Sequence, residues 1–212
     1  MKEKNVDLLN EIAGYYSAKL IQHGETALGV DWNSEDSQIL RFLQLSKIID
    51  KSESFSVNDL GCGYGAFFDF LFDKYHNEFT YLGIDVSEDM IIAADQRHVK
   101  TAQAHFILSS KPDRISDYGV ASGIFNVRMG RTNDEWQSYL EGTLDDLDKT
   151  SKLGFAFNCL SNYSDRDKMR EYLYYADPCF LFDLCKRKYS RHVSLLNDYG
   201  LYEFTILVRK QI

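Results

Sequence analysis

Three glycines at alternate positions, Gly61, Gly63 and Gly65, close the run from Val57 to Gly65, and an acid, Asp59, stands two positions ahead of the first. Phe55, Val57 and Leu60 mark a buried strand ending at Leu60, and Phe67, Phe68, Phe70 and Leu71 begin a helix, so the glycines form a strand-to-helix turn. Glycine accepts positive φ and puts no Cβ between the chain and a bound molecule, while the first turn of the next helix offers N–H groups without intrahelical partners. The turn is a cradle for a nucleoside-bearing ligand.

From Phe55 onward, short apolar runs alternate with longer mixed segments, the pattern of βαβ units around a mostly parallel sheet. Strands are expected near 55–60, 79–85, 104–108, 118–125 and 152–158, and helices near 64–75, 88–99 and 132–149. The tail differs: residues 192–197 and 201–208 flank Asp198-Tyr199-Gly200 and read as an antiparallel hairpin. The expected fold is α/β, a doubly wound seven-stranded sheet with an antiparallel C-terminal hairpin strand and an N-terminal helical cap.

The whole chain, 1–212, reads as one domain: a cap or lid over 1–50 and a Rossmann-like core over 51–212. The cap holds a helix-like stretch through Leu8, Ile12, Tyr15, Tyr16 and Leu20, then a glycine-broken segment around Gly24 and Gly29, then Ile39 to Ile49. Pro112 and Pro178 are both expected in loops. A net charge of −8 and the lack of a basic run argue against nucleic acid, and no stretch approaches the ~20 apolar residues of a membrane span. A soluble cytoplasmic protein follows, a monomer or homodimer, with no membrane partner. Cys62, Cys159, Cys179 and Cys185 form no C-x-x-C pair and no histidines cluster, so neither a metal site nor a disulfide framework is indicated.

Gly61 to Ala66 also satisfies the dinucleotide fingerprint, so spacing alone leaves two ligands open. Asp59 separates them: a carboxylate at the strand end repels a pyrophosphate and favours a cationic cofactor. The run Asp59 to Gly65 resembles the first motif of the class I S-adenosylmethionine-dependent methyltransferases, acid-x-Gly-x-Gly-x-Gly. The resemblance covers roughly residues 50–212 and implies S-adenosyl-L-methionine as cofactor. It also implies an antiparallel last strand and methyl transfer by direct in-line displacement.

Asp85 ends the second strand about 20 residues beyond the glycines, where the dinucleotide fold holds its ribose-binding acid and where the resembled family has one. The resemblance places Val86 and Met90 beside the adenine, with Cys62 in the turn itself. Ser87 reads equally as a helix N-cap. After the third strand the family often has an acid, whereas this chain has Ser109 and Ser110, whose hydroxyl or backbone groups are candidates for the adenine contact. The fourth strand runs toward Ser122, Gly123, Asn126 and Arg128, the resembled boundary between cofactor and acceptor. Ser122 is assigned to the cofactor, Asn126 to catalysis and Arg128 to the acceptor.

In the cap, Tyr16 is a candidate cofactor contact, and Arg41 a candidate bidentate partner for the cofactor's carboxylate. His23 is the candidate general base, since imidazole titrates near neutrality. Asp31, Trp32 and Asn33 are candidate acceptor residues, although Asp31 to Ser34 also reads as a helix cap. Tyr174, Tyr175 and Asp177 stand in the segment expected to shape the acceptor site. With the cap, that segment resembles a poorly characterised bacterial group of class I methyltransferases, some associated with surface-polysaccharide or specialised small-molecule pathways. The expected reaction is methylation of O or N on a small polar metabolite, in small-molecule biosynthesis. An NAD(P)-dependent oxidoreductase and a noncatalytic S-adenosylmethionine-binding protein are the alternatives.

Overall fold

The computed structural model describes residues 2–50 and 53–210, with side chains from Asp7 onward. Helix α1 (Lys2–His23) leads through a 3-10 turn at Ala27–Val30 into α2 (Glu35–Leu45) and a second 3-10 turn at Ser46–Ile48. Strand and helix then alternate: β1 (Phe55–Leu60), α3 (Ala66–Tyr75), β2 (Phe79–Asp85), α4 (Glu88–Arg97), β3 (Ala104–Leu108) and β4 (Ser116–Ala121). They are followed by α5 (Asn133–Lys149), β5 (Ser151–Leu160), α6 (Pro178–Lys188), β6 (His192–Leu196) and β7 (Glu203–Arg209).

The strands form one seven-stranded sheet in the order β3-β2-β1-β4-β5-β7-β6. Neighbours from β3 through β5 pair in parallel, and β7 joins β5 and β6 antiparallel, as the hairpin pattern of the tail implies. Strand order reverses between β1 and β4, so their C-terminal ends, Leu60 and Ala121, lie side by side with crossovers leaving in opposite directions. Such a switch point leaves a crevice beyond the strand ends, and the glycine turn occupies it.

Both faces of the sheet are covered, so β1 is buried along nearly its whole length even though Ser56, Asn58 and Asp59 are polar. On one face α1, α5 and α6 bury Ile12, Trp136, Leu140 and Leu181 against Phe155, Phe157 and Phe204. On the other, α2, α3 and α4 bury Phe42, Phe67, Phe68 and Ala94 against Val57, Tyr81 and Val120. A fully buried side chain of this size contributes about 2 kcal/mol. The expected cap is divided between the two faces: Leu8 and Ile12 of α1 join the first core, while α2 lies on β5 and β7 over the second, and α1 also touches α4.

The structure departs from the sequence reading in two further places. β4 ends at Ala121 instead of running on to 125, because Gly123 takes φ +75 and turns the chain. Pro178 is not in a loop but opens α6, where its missing N–H costs nothing; the Asp177 carboxylate caps the N–H groups of Cys179 and Phe180. Among the described residues no helix is long and apolar enough to cross a membrane.

Candidate active site

The glycine turn is fastened to its neighbour strand. The N–H groups of Gly61 and Cys62 both donate to the carbonyl of Ile84, at 2.7 and 3.0 Å. The next residue, Asp85, accepts the N–H of Gly63 on Oδ2 and that of Ser87 on Oδ1, each at 2.9 Å. Gly61, Gly63 and Gly65 all have positive φ. A Cβ on Gly63 would come within 2.9 Å of the Val30 side chain, so the N-terminal segment closes directly over bare backbone.

Beyond the turn opens a cleft that brings together every sequence-predicted cofactor residue except Arg41. Asp59, Gly61, Cys62 and Gly63 form its floor, and Asp85, Val86 and Met90 one wall. Ser109, Ser110 and Ser122 stand at the strand ends, and Tyr16 closes it from α1. Asp59 is 1 % exposed and accepts the Tyr81 hydroxyl on Oδ2. Burial pushes its carboxyl up to about 7, opposed by the Tyr81 hydrogen bond and reinforced by the charge of Asp85. Burial also raises Asp85, against the N–H groups of Ser87, Gly63 and Val86 that favour its ionised form.

Two polar atoms in this cleft are buried without a hydrogen-bond partner among the described residues: Asp59 Oδ1 and Ser122 Oγ. Unmet acceptors and hydroxyls of this kind are costly unless a polar ligand meets them. Each Asp85 oxygen has used one lone pair on a backbone N–H and retains capacity for a diol hydroxyl. Two carboxyl groups at adjacent strand ends suit a cation and oppose a pyrophosphate. The residues thus fit S-adenosylmethionine, which carries a sulfonium, an ammonium and a ribose diol.

The supporting roles divide more finely than the sequence suggested. The Ser109 hydroxyl is taken up in its own turn, donating to the Lys111 carbonyl at 2.8 Å and accepting the Lys111 N–H, so it is no free adenine contact. Ser87 is the N-cap of α4, accepting the Met90 N–H, and its hydroxyl meets that of Ser17 on α1. Burial, with the charges of Asp31 and Asp85, raises the Tyr16 hydroxyl and keeps it a hydrogen-bond donor. Burial likewise raises the Cys62 thiol, which keeps it protonated and unreactive.

A second chamber adjoins the first and shares Tyr16, Val30, Trp32 and Gly123 with it. Asp31, Asn33 and Tyr175, expected acceptor residues, line it together with Asn126, the expected catalytic residue. Asp31 has φ 62, an uncommon left-handed backbone for a residue with a side chain. Its carboxylate accepts the Tyr15 hydroxyl at 2.7 Å and pairs with Lys19 at 2.7 Å. The helix cap foreseen in this stretch is Ser34, whose side chain accepts the Ser37 N–H.

Six expected site residues are placed differently or more narrowly than the sequence suggests. Arg41 does not face the cofactor cleft: it is buried against Glu203, with Nε and Nη2 at 2.8 and 2.7 Å from the carboxylate and Nη1 on the Ser37 carbonyl. His23 ends α1 and lines neither chamber, away from the place expected of a base. Arg128 donates to the carbonyls of Leu173, Arg131 and Glu171 and staples two loops together. Tyr174 turns into the core instead of the chamber, and Asp177 is a helix cap. Asn126 keeps only half its side chain for chemistry, because Oδ1 accepts the Leu160 N–H at 3.0 Å while Nδ2 has no partner among the described residues.

Sequence reasoning missed Glu203, Leu160, Arg170 and Tyr172, which also line the second chamber. One signal was available: a glutamate within the apolar run 201–208 had to be either exposed or paired, and it is 1 % exposed.

No protein-family model matches the chain. A Mycobacterium tuberculosis protein named as a candidate methyltransferase, Rv1506c, is 57% identical over 164 residues, 77% of this chain and 98% of the relative. Among solved structures, a DhpI–SAM–HEP complex superimposes with a TM-score of 0.68 at 15% identity, covering 95% of this chain and 97% of that one. The N-methyltransferase NodS from Bradyrhizobium japonicum WM9, in complex with S-adenosyl-L-homocysteine, gives 0.65 at 13% identity, covering 94% and 98%. At those identities the likeness is one of fold.

Proposed function

The chain belongs to the class I S-adenosylmethionine-dependent methyltransferases, and from that premise we propose that it methylates an oxygen or nitrogen of a small polar metabolite by direct in-line displacement. One observation carries this reading: the cofactor cleft and the second chamber share a wall of Tyr16, Val30, Trp32 and Gly123. An acceptor in the second chamber therefore stands next to the cofactor without crossing solvent. Asp31, Asn33, Tyr172 and Tyr175 give that chamber hydrogen-bonding capacity, and Val127 and Leu160 give it carbon walls, a combination suited to a small polar molecule.

S-adenosylmethionine, when bound, supplies an electrophilic methyl group on a positively charged sulfur. Asp85 is the residue to hold its ribose, while Asp59, Ser122 and the N–H groups of the glycine turn offer polar partners to the rest. The chain's main contribution is alignment and exclusion of water, which together can lower a barrier by several kcal/mol. In place of His23, Asp31 is the carboxylate that orients the acceptor's O–H or N–H and takes its proton, with the Asn126 Nδ2 amide as a second polar contact. Tyr15 on Oδ2 and Lys19 on Oδ1 fix the Asp31 rotamer.

The net charge of −8 favours such a molecule over nucleic acid, and the four free thiols suit a reducing cytoplasm; the active unit is a monomer or homodimer. The test is incubation with methyl-labelled S-adenosylmethionine and metabolite fractions separated by size and polarity. Label should enter a small polar product. Label confined to lipid or protein would overturn the acceptor class, and S-adenosylhomocysteine binding without any transfer would favour the noncatalytic alternative.

A further inference from the structure

Five residues from five separate segments close a ring around the boundary of the two chambers. Arg41 on α2 makes its two-pronged pair with Glu203 at the start of β7. Glu203 Oε2 also accepts Nδ2 of Asn158 on β5 at 2.9 Å, and Asn158 Oδ1 accepts the Gly123 N–H at 2.7 Å. On the other side the Arg41 guanidinium lies 3.9 Å above the Trp32 ring centre. The Trp32 ring in turn rests on Gly123, so closely that a Cβ there would fall 2.3 Å from it.

Its charged and amide members are buried, with Arg41 6 %, Glu203 1 % and Asn158 0 % exposed, although Arg41 and Glu203 edge the second chamber. A buried ion pair is a poor device for stability alone, because well-packed apolar side chains do as well without the desolvation penalty. What the pair supplies is direction: a planar fork, a carboxylate and an amide admit one arrangement, whereas apolar packing admits several. The arrangement touches the reaction space, since Trp32 and Gly123 line both chambers and the adjacent Ser122 lines the cofactor cleft with its hydroxyl unpartnered.

We propose that Arg41, Glu203 and Asn158 are positioning residues for methyl transfer, holding Trp32 and the 122–126 turn at the boundary between cofactor and acceptor. The acceptor side of this inference rests on the function proposed above. The test on the cofactor side needs no acceptor, so the two can fail separately.

The probe is S-adenosylhomocysteine, titrated calorimetrically and followed by tryptophan fluorescence with Trp136 retained, because its Nε1 holds the Phe125 carbonyl of the 122–126 turn; Trp32 at the chamber wall is the tryptophan that responds to binding. Two variants are compared with wild type by melting, affinity and fluorescence response. Arg41→Met with Glu203→Leu removes both charges together, so that neither is left buried and unpaired. Asn158→Ala keeps both charges of the pair and removes the amide that bridges Glu203 to the Gly123 N–H. Both variants should bind S-adenosylhomocysteine about fivefold more weakly or worse, with an altered Trp32 response, and the double variant should melt close to wild type. Wild-type affinity and fluorescence response in a folded double variant, or in Asn158→Ala if the double variant does not fold, would overturn the proposal. A wild-type protein that fails to bind S-adenosylhomocysteine would count against the cofactor assignment instead.

Discussion

Asp85 Oδ2 accepts the backbone N–H of Gly63 at 2.9 Å, so the acid at the end of β2 and the glycine turn after β1 form one structural unit. Either part displaced would take the other with it.

Replacing Asp85 with Ala should therefore do more than remove a ribose contact. It leaves the Gly63 and Ser87 N–H groups without their acceptor, and hydrogen bonds to a charged group contribute about 1.5–3 kcal/mol each. S-adenosylhomocysteine affinity should fall at least tenfold and the melting temperature should drop. Asp85→Asn, which keeps one acceptor oxygen, should fall between the two. Unchanged affinity in Asp85→Ala would place the ribose elsewhere.

Asp59 makes stability depend on pH in a direction opposite to that of an ordinary paired carboxylate. Its carboxyl is raised from 3.8 to about 7 by burial, so between those values the native protein keeps a proton that the unfolded chain has lost. The associated stability is complete below about pH 4 and is lost as pH climbs through about 7. Urea unfolding across pH 4 to 8 should show this fall in wild type, relative to a flatter profile in Asp59→Asn. A cationic cofactor favours the ionised carboxylate, so binding near neutral pH should release protons, measurable by calorimetry in buffers of different ionisation enthalpy, and the release should vanish in Asp59→Asn.

Gly123 tolerates no side chain. Its φ of +75 disfavours any L-residue, and the added Cβ would meet the Trp32 ring. Gly123→Ala should destabilise the protein by about 2 kcal/mol or more, combining backbone strain with overpacking. It should also weaken S-adenosylhomocysteine binding, whereas Gly142→Ala, with open space around its Cβ, should do neither.

The two candidate bases are separable by mutation. His23→Ala should leave turnover and its pH profile as in wild type, because His23 lies outside both chambers. Asp31→Asn should lower turnover by about 100-fold while S-adenosylhomocysteine affinity stays near wild type. Equal turnover in the two variants would remove Asp31 from the proposed chemistry.

Much of the cofactor side was legible in the chain because its residues are consecutive or tied to strand ends. Asp59 to Gly65 lie within one turn, and Asp85 follows from the periodicity that ends β2. Ser122 came from the family resemblance, since the strand expected to run to 125 stops at Ala121. Arg41 was misread because an arginine on an amphipathic helix shows no sign of its partner, which stands 162 residues away. His23 was misread because a histidine beside a glycine looks the same whether its loop faces a cavity or solvent. Helix α6 was missed because Pro178 was taken as a breaker when it occupies the one helical position that suits proline.

By itself, then, the sequence determined a doubly wound sheet, the strand-to-helix turn at its centre and the charge that makes that turn suit a sulfonium donor. These depend on local periodicity and on residues a few positions apart, which physical chemistry reads without knowing the fold. Only the tertiary structure decided that His23 stands outside both chambers while Asp31 lines the second, and that Arg41 belongs to Glu203. Such pairings are settled when separate layers pack, because a buried charge takes whichever partner the packing brings within reach.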